Sequence, residues 1–285
     1  VINQSYKNIE IIIVDDFSLN SKIFEIVKNY FPDEQRMIFL RHETNKGLAA
    51  ARNTALKKSK GKFFTFIDDD DLWDKNCIEN FIKYTSRFNS LNCFCGGIKY
   101  NNRSYKYFSK QILLSEAIYQ GWTPPVSAQF YYKKSLTEMG GFNEDIKSGV
   151  DHDIWLNLSI KNYNIVFIEE CVSILSNNLS KEKMTSNYNK RINGINNSLK
   201  IWKSLIINYY SIDFYNHFTN QYNIYLLKFF LLKNLKTFNI LEITKIIYLK
   251  KNYKILFSIL FSFFKKFAKL KKDNYIEPTF RNYYE

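Results

Sequence analysis

The chain has 285 residues, with 41 Lys and Arg against 27 Asp and Glu, a formal charge of +14. At 46% hydrophobic and 18% aromatic it carries too much apolar material to stay unfolded despite that charge, so a disordered chain is excluded. The charge is also unevenly placed: residues 1–175 hold 22 basic and 21 acidic side chains, net +1, whereas residues 176–285 hold 19 and 6, net +13. Two differently built regions follow, 1–175 and a basic 176–285, and the length suffices for a domain with an appendage.

Cys77, Cys93, Cys95 and Cys171 make neither paired C-x-x-C knuckles nor a Cys/His zinc spacing, so free thiols in a reducing cytosol are expected. The longest nearly apolar run, residues 255–264, is too short for a span of roughly 20 residues. No secretory signal opens the chain. The expected location is cytoplasmic. The chain begins at Val1 in a segment that reads as the end of a helix, so a preceding piece is expected.

Along the chain, residues 10–14 (E-I-I-I-V) form a short apolar run ending in Asp15 and Asp16, the pattern of a buried parallel strand. A helix is predicted over 18–30, with Ser18 or Ser21 as its N-cap. A second strand covers 37–41, Gly47 opens a helix through Lys58, and Gly61 precedes a third strand, 63–67, that runs into Asp68, Asp69, Asp70 and Asp71. A helix over 75–87 and a strand over 93–100 continue the alternation. Residues 101–150 are less regular: a helix over 113–119, the turn Thr123-Pro124-Pro125, a strand over 126–132 and the pair Gly140-Gly141. A helix over 151–161 puts Ile154, Trp155 and Leu158 on one face, and three or four helices are expected after residue 175, where Gly and Pro almost vanish. This rhythm predicts an α/β fold: an open, mostly parallel sheet flanked by helices, with an α-helical C-terminal region. Ligands of such sheets bind beyond the carboxyl ends of the strands, where both acidic clusters fall.

If the third strand stays extended, Asp68 and Asp70 point one way and Asp69 and Asp71 the other. Two carboxylates on one face suit a hard cation such as Mg²⁺ or Mn²⁺ shared with a diphosphate. A solvated acidic turn is the alternative.

The blocks N-Q-S-Y (3–6), I-I-I-V-D-D-F-S (11–18), N-K-G-L-A-A-A-R-N (45–53), F-I-D-D-D-D-L-W (66–73), G-G-F-N-E-D (140–145) and D-H-D-I-W-L (151–156) occur in that order. Together they resemble glycosyltransferase family 2, the inverting nucleotide-sugar transferases of the GT-A fold, over residues 1 to about 175. The resemblance implies a nucleotide-sugar donor, a UDP-sugar first among them, and a glycan or lipid-linked glycan acceptor of a bacterial surface polymer such as lipooligosaccharide. It places Asp16 at the nucleotide base with Asp15 beside it, and Asp68 and Asp70 at the outer positions of a D-x-D element. Asp70 is then the metal ligand, with Asp68 near the ribose, the metal or its water, and Asp69 able to share the work. Asp151 falls at the catalytic base, with Asp153 next in line. The family's acidic pair is incomplete here, since Val150 takes its first position and His152 replaces the following aromatic. The family's first strand, ending in P-T-Y-N, is not in the chain.

The residues leave simpler roles open. Asp15 or Asp16 could cap the following helix, and Asp151 its own. Gly47 permits a tight entry into a helix whose first amides face an anion. Arg52 either orients the acidic strand end or donor, or lies on an exposed helix face. Trp73, Trp122 and Trp155 could stack on sugar or pack internally, and residues 124–129 are expected near the acceptor.

Residues 241–272 interleave apolar groups with nine lysines, a pattern that suits peripheral contact with anionic lipid at the inner face of the cytoplasmic membrane. A packed helical subdomain is the alternative; nucleic acid ranks last, since no binding module accompanies the charge. Two other functions compete for the chain: a sugar nucleotidyltransferase, whose Gly-rich N-terminal loop is not seen, and a basic membrane- or nucleic-acid-binding protein retaining a degenerate transferase domain.

Overall fold

The computed structural model describes residues 1–19, 22–89, 91–100, 103–121, 125–175 and 188–223. The N-terminal strands β1 (Ile11–Asp15) and β2 (Met37–Arg41) pair in parallel, with Asp15 opposite Arg41. Helix α1 (Ile23–Tyr30) connects them. Its predicted cap is not used: Lys22 occupies the N-cap without a side-chain bond, while the Ser18 amide donates to Asp15. Ser21 lies outside the described residues. Helix α2 (Leu48–Lys58) starts where expected, because Gly47 adopts φ +92° just before it.

The elements that follow are β3 (Phe63–Thr65), β4 (Leu72–Trp73), α3 (Cys77–Thr85), β5 (Asn92–Tyr100), β6 (Arg103–Tyr105), β7 (Lys110–Leu113), α4 (Leu114–Tyr119), β8 (Gln129–Tyr132), α5 (Lys133–Glu138), α6 (Val150–Ile160), β9 (Asn164–Ile174) and α7 (Tyr188–Tyr209). A last described helix, α8, covers residues 212–223. The fold is α/β, as expected. Its main sheet is mixed, however: β3, β8, β5, β9 and β4 lie side by side, with β6 on β5 and β7 on β9. The β5–β9 pair is parallel, and the β3–β8, β5–β8, β4–β9, β5–β6 and β7–β9 pairs are antiparallel. The strand expected over 126–132 divides into a 3-10 turn, Val126–Ala128, and β8.

The central strands are apolar on both faces because each face is covered. Cys93, Cys95, Tyr131, Ile165 and Phe167 face a layer built with α4, α6 and α7, whereas Phe94, Phe130, Tyr132, Val166, Ile168 and Val172 face α3. All four cysteines are free. Trp155 is buried; its Nε1 donates to Tyr131 Oη at 3.0 Å, which makes it a packing residue. Trp122 lies outside the described residues. Helices α7 and α8 pack on the α/β layer through Ile195, Leu199, Trp202, Ile206, Phe218 and Tyr222. Of the tail's excess charge, +9 falls after residue 223, outside the described residues. No helix among the described residues is long and apolar enough to cross a membrane.

Gly96 sits at a register shift between β5 and β9, and a Cβ there would lie 2.5 Å from Val172 Cγ2. A Gly96→Ala change is therefore expected to cost roughly 1–3 kcal/mol in urea unfolding, because neither central strand can retreat. An unchanged midpoint would contradict this packing.

Candidate active site

The acidic run does not continue β3. The strand ends at Thr65, and Asp68 to Asp71 close a turn in which the Asp71 amide donates to Asp68 O at 3.1 Å. The alternation argument that set Asp68 and Asp70 on one strand face therefore does not apply. The turn instead links two strands at opposite ends of the main sheet order, β3 and β4, and so runs across the end of the sheet. Ser127, fully buried in the 3-10 turn before β8, fixes it there. Its hydroxyl donates to Asp71 Oδ2 at 2.6 Å and accepts from the Asp68 amide at 3.3 Å, while its carbonyl accepts from Trp73 Nε1 at 2.7 Å. Trp73 is thereby engaged as an anchor. Asp69 and Asp70 are exposed at the turn's tip.

Arg52 on α2 reaches this turn through Asp68. It is buried, at 6% exposure, so the prospect of an exposed helix face is set aside. Its guanidinium pairs with Asp151 through Nη1 and with Asp68 Oδ1 through Nη2 at 3.5 Å, and lies over the rings of Phe66 and Phe142, 5.1 and 5.7 Å from their centres. Asp68 and Asp151, 83 positions apart in the sequence, thus share one cation. Asp151 stands in the first turn of α6; Gly149 is the N-cap residue and no side chain caps the helix, so Asp151 is not a cap. Asp153 turns away and is sealed against Trp202.

Among these carboxyls Asp68 is held high, at about 6: burial raises it, Arg52 pulls it down, and Asp151, Asp71 and Asp70 push it up again. Its side chain still keeps 46% of its surface open. Among the described residues no group of three or more His, Cys, Asp or Glu side chains gathers to hold a metal ion.

Asp15 and Asp16 are both committed within the protein. Asp15 is buried and accepts from the Ser18 amide and from Arg41; burial would raise its carboxyl, yet these donors hold it below the ordinary value. Asp16 accepts from the amides of Lys46 and Gly47 at 2.8 and 2.7 Å and lies 2.7 Å from His42 Nδ1, so it too is net lowered against the effect of burial. The anion met by the Gly47 entry is thus the protein's own carboxylate. His42, whose Nε2 lies 2.8 Å from Thr54 Oγ1, joins β2 to α2 and was not foreseen; its place directly after β2, level with Asp16, was the available signal. The N-Q-S-Y element serves the same neighbourhood: buried Gln4 donates to Asp74 O at 2.8 Å and accepts from the Ile78 amide at 3.0 Å, fixing the start of α3 after the acidic turn.

Residues 1–146 match the family model described as Glycosyl transferase family 2. The chain belongs to glycosyltransferase family 2. This family 2 chain is 30% identical over 207 residues to the UDP-Glc:alpha-D-GlcNAc-diphosphoundecaprenol beta-1,3-glucosyltransferase WfgD of Escherichia coli, covering 67% of this chain and 74% of WfgD. It is also 30% identical over 174 residues to an uncharacterized glycosyltransferase of Rickettsia bellii, covering 57% of this chain and 24% of that protein. It spans about a quarter of the length of that protein and of two further Rickettsia relatives. Among solved structures it is similar to S. aureus TarS 1-349 in complex with UDP-GlcNAc, with a TM-score of 0.58 at 20% identity, covering 82% of this chain and 66% of that one; this likeness establishes the GT-A type of fold.

In this family 2 chain Asp68 is expected to titrate near pH 6 by carboxyl ¹³C NMR, and higher in Arg52→Ala, which removes the group that lowers it. The folded protein holds this proton more tightly than the unfolded chain, so the contribution of Asp68 favours folding at acidic pH and is lost as pH rises from about 4 to about 6. A wild-type titration at the ordinary carboxylate value, or a downward move in the variant, would contradict the arrangement.

Proposed function

We propose that the chain is an inverting, metal-dependent glycosyltransferase that moves a sugar from a nucleotide sugar, a UDP-sugar first among them, to a hydroxyl of a glycan or lipid-linked glycan acceptor. The observation that carries this reading is the buried Arg52 joining Asp68, in the acidic turn, to Asp151, at the start of α6. It gathers a donor-side acid and a candidate base at the rim of the sheet, where α/β folds bind ligands. The UDP-Glc named for WfgD and the UDP-GlcNAc bound to TarS support a UDP-sugar, and the diphosphoundecaprenol acceptor named for WfgD supports a lipid-linked one.

In the proposed reaction an acceptor hydroxyl attacks the anomeric carbon from the face opposite the nucleoside diphosphate, which leaves with the bonding electron pair. Asp151 takes the hydroxyl proton, and its pairing with Arg52 sets the direction in which the carboxylate presents itself. Asp15, Asp16 and Arg52 are assigned to the donor side, Asp16 through the 45–47 loop that it shapes.

The acidic turn fits a hard divalent cation: its oxygen donors are of the right kind, and Mg²⁺ takes only one or two protein carboxylates when diphosphate supplies further ligands. Asp70, with Asp68 and with Asp69 adjacent, would hold Mg²⁺ or Mn²⁺, and the ion when bound would offset diphosphate charge. The tail, 241–272, is proposed as peripheral contact with anionic lipid, which would bring the enzyme to a lipid-linked acceptor; it lies outside the described residues.

Asp70→Asn is expected to abolish Mn²⁺-dependent UDP binding in calorimetry, and undiminished binding would reject the ligand assignment. Asp151→Asn should keep UDP binding and lose turnover by roughly a hundredfold or more, the scale of a general base; near-normal turnover would remove it from that role. Deletion of residues 241–285 should reduce co-sedimentation with anionic liposomes, and an unchanged pellet would favour a packed tail.

A further inference from the structure

Helix α7 grips the start of α6 through one face. Gly194, Ser198 and Trp202 recur every four residues and therefore stack along α7. A Cβ on Gly194 would lie 2.6 Å from Ser148 Cβ, so the two backbones approach closely there. Ser198 Oγ donates to Ser148 O at 2.6 Å. Gly149 holds φ +79° and a Cβ on it would lie 3.0 Å from Trp202 Cη2, so the indole occupies the space beside the N-cap. Trp202, 1% exposed, donates Nε1–H to Asp153 Oδ1 at 2.6 Å, and Asn157 donates to Asp153 Oδ2 at 3.2 Å.

A carboxyl sealed at 2% exposure must be hydrogen-bonded, and these donors meet that need. Asp151 and Asp153 are two positions apart on a helix, roughly 200° around its axis, so they face opposite ways. One faces Arg52 of α2 and the other Trp202 of α7. The first turn of α6 is thus held between two partners, one within residues 1–175 and one beyond.

We propose that Trp202, assisted by Ser198, is a positioning residue of the active site: by fixing residues 148–153 it sets where Asp151 presents its carboxylate. This rests on the reading of Asp151 as the base. Trp202 touches no reacting atom and acts through Asp153 and Gly149. The basic C-terminal region thereby contributes to the catalytic apparatus through its first helix, independently of any lipid contact made further along.

The test uses the full chain with Trp202→Phe, which keeps an aromatic ring and removes the N–H, and with Ser198→Ala as the milder second variant. Hydrogen–deuterium exchange is followed over residues 148–155, with β5 and β9 as references. Calorimetry gives UDP affinity with Mn²⁺, and UDP release is measured from UDP-glucose and from UDP-GlcNAc. Trp202→Phe is expected to speed exchange over 148–155 by about tenfold relative to β5 and β9, as loss of a hydrogen bond to a carboxylate implies. It should leave UDP affinity unchanged and lower kcat for UDP release about tenfold, with Ser198→Ala smaller in the same direction. Exchange over 148–155 that is unchanged, or that rises only in step with β5 and β9, would overturn the proposal, and so would an equal loss of UDP affinity and kcat. The exchange result decides whether or not either donor is turned over. Asp151→Asn, run alongside, separates the two readings: retained turnover there rejects the base, while the exchange data still report on the grip of α7.

Discussion

The buried guanidinium of Arg52 is the constraint around which the rest of the site is arranged. A charge taken out of water costs several kcal/mol unless it is well paired, and here Asp151 and Asp68 provide the pairing while Phe66 and Phe142 close the flanks. The adjacent Asn53 extends the same logic. Its Nδ2 donates to Phe142 O and Glu144 Oε1, each at 2.8 Å, and its Oδ1 accepts from the Phe142 amide at 2.7 Å. Gly141, at φ +82°, leaves room for that carbonyl, since a Cβ would lie 2.5 Å from Asn53 Oδ1. Two neighbouring residues of one helix therefore bring the acidic turn, the 140–144 segment and the start of α6 to a single place.

That arrangement gives the helices beyond residue 175 a structural meaning. The described part of the C-terminal region continues the apolar layer on one face of the sheet, and its polar contacts concentrate on the segment that carries Asp151. Tyr210 Oη, donating to Ser159 Oγ at 2.8 Å, fastens the far end of α6 as well. His217 lies parallel to Tyr119, with ring centres 4.1 Å apart, and joins α8 to α4. The +14 charge of the whole chain is thus divided mainly among a nearly neutral 1–175, two packed helices of modest charge, and a strongly basic segment after residue 223.

Much of the first half was legible in sequence because local signals coincide with tertiary demand. β2 falls where its apolar run lies, and Gly47 opens α2 because only glycine adopts that backbone readily. The N-cap of α1 was misread because Ser18 instead gives its amide to Asp15, a competition that depends on Arg41 from a neighbouring strand. At Asp68 to Asp71 the sequence left an extended strand end and an acidic turn both open, because four like residues carry no period; the buried hydroxyl of Ser127, 56 residues further on, holds the turn. Arg52 was balanced between surface and site, since a helix of low amphipathicity does not show which face is buried. β9 and the antiparallel pairs it makes escaped for a related reason: a strand covered on both faces shows no alternation.

The acidic turn paired with Arg52 is the proposed meeting place of donor and cation. A crystal structure of the full chain grown with UDP and Mn²⁺, with anomalous scattering used to locate the ion, tests this most directly. An anomalous peak beside the carboxylates of Asp68 to Asp70, with the UDP diphosphate next to it and Asp151 still paired with Arg52, is the predicted result. UDP bound elsewhere, or an ion away from that turn, would contradict it.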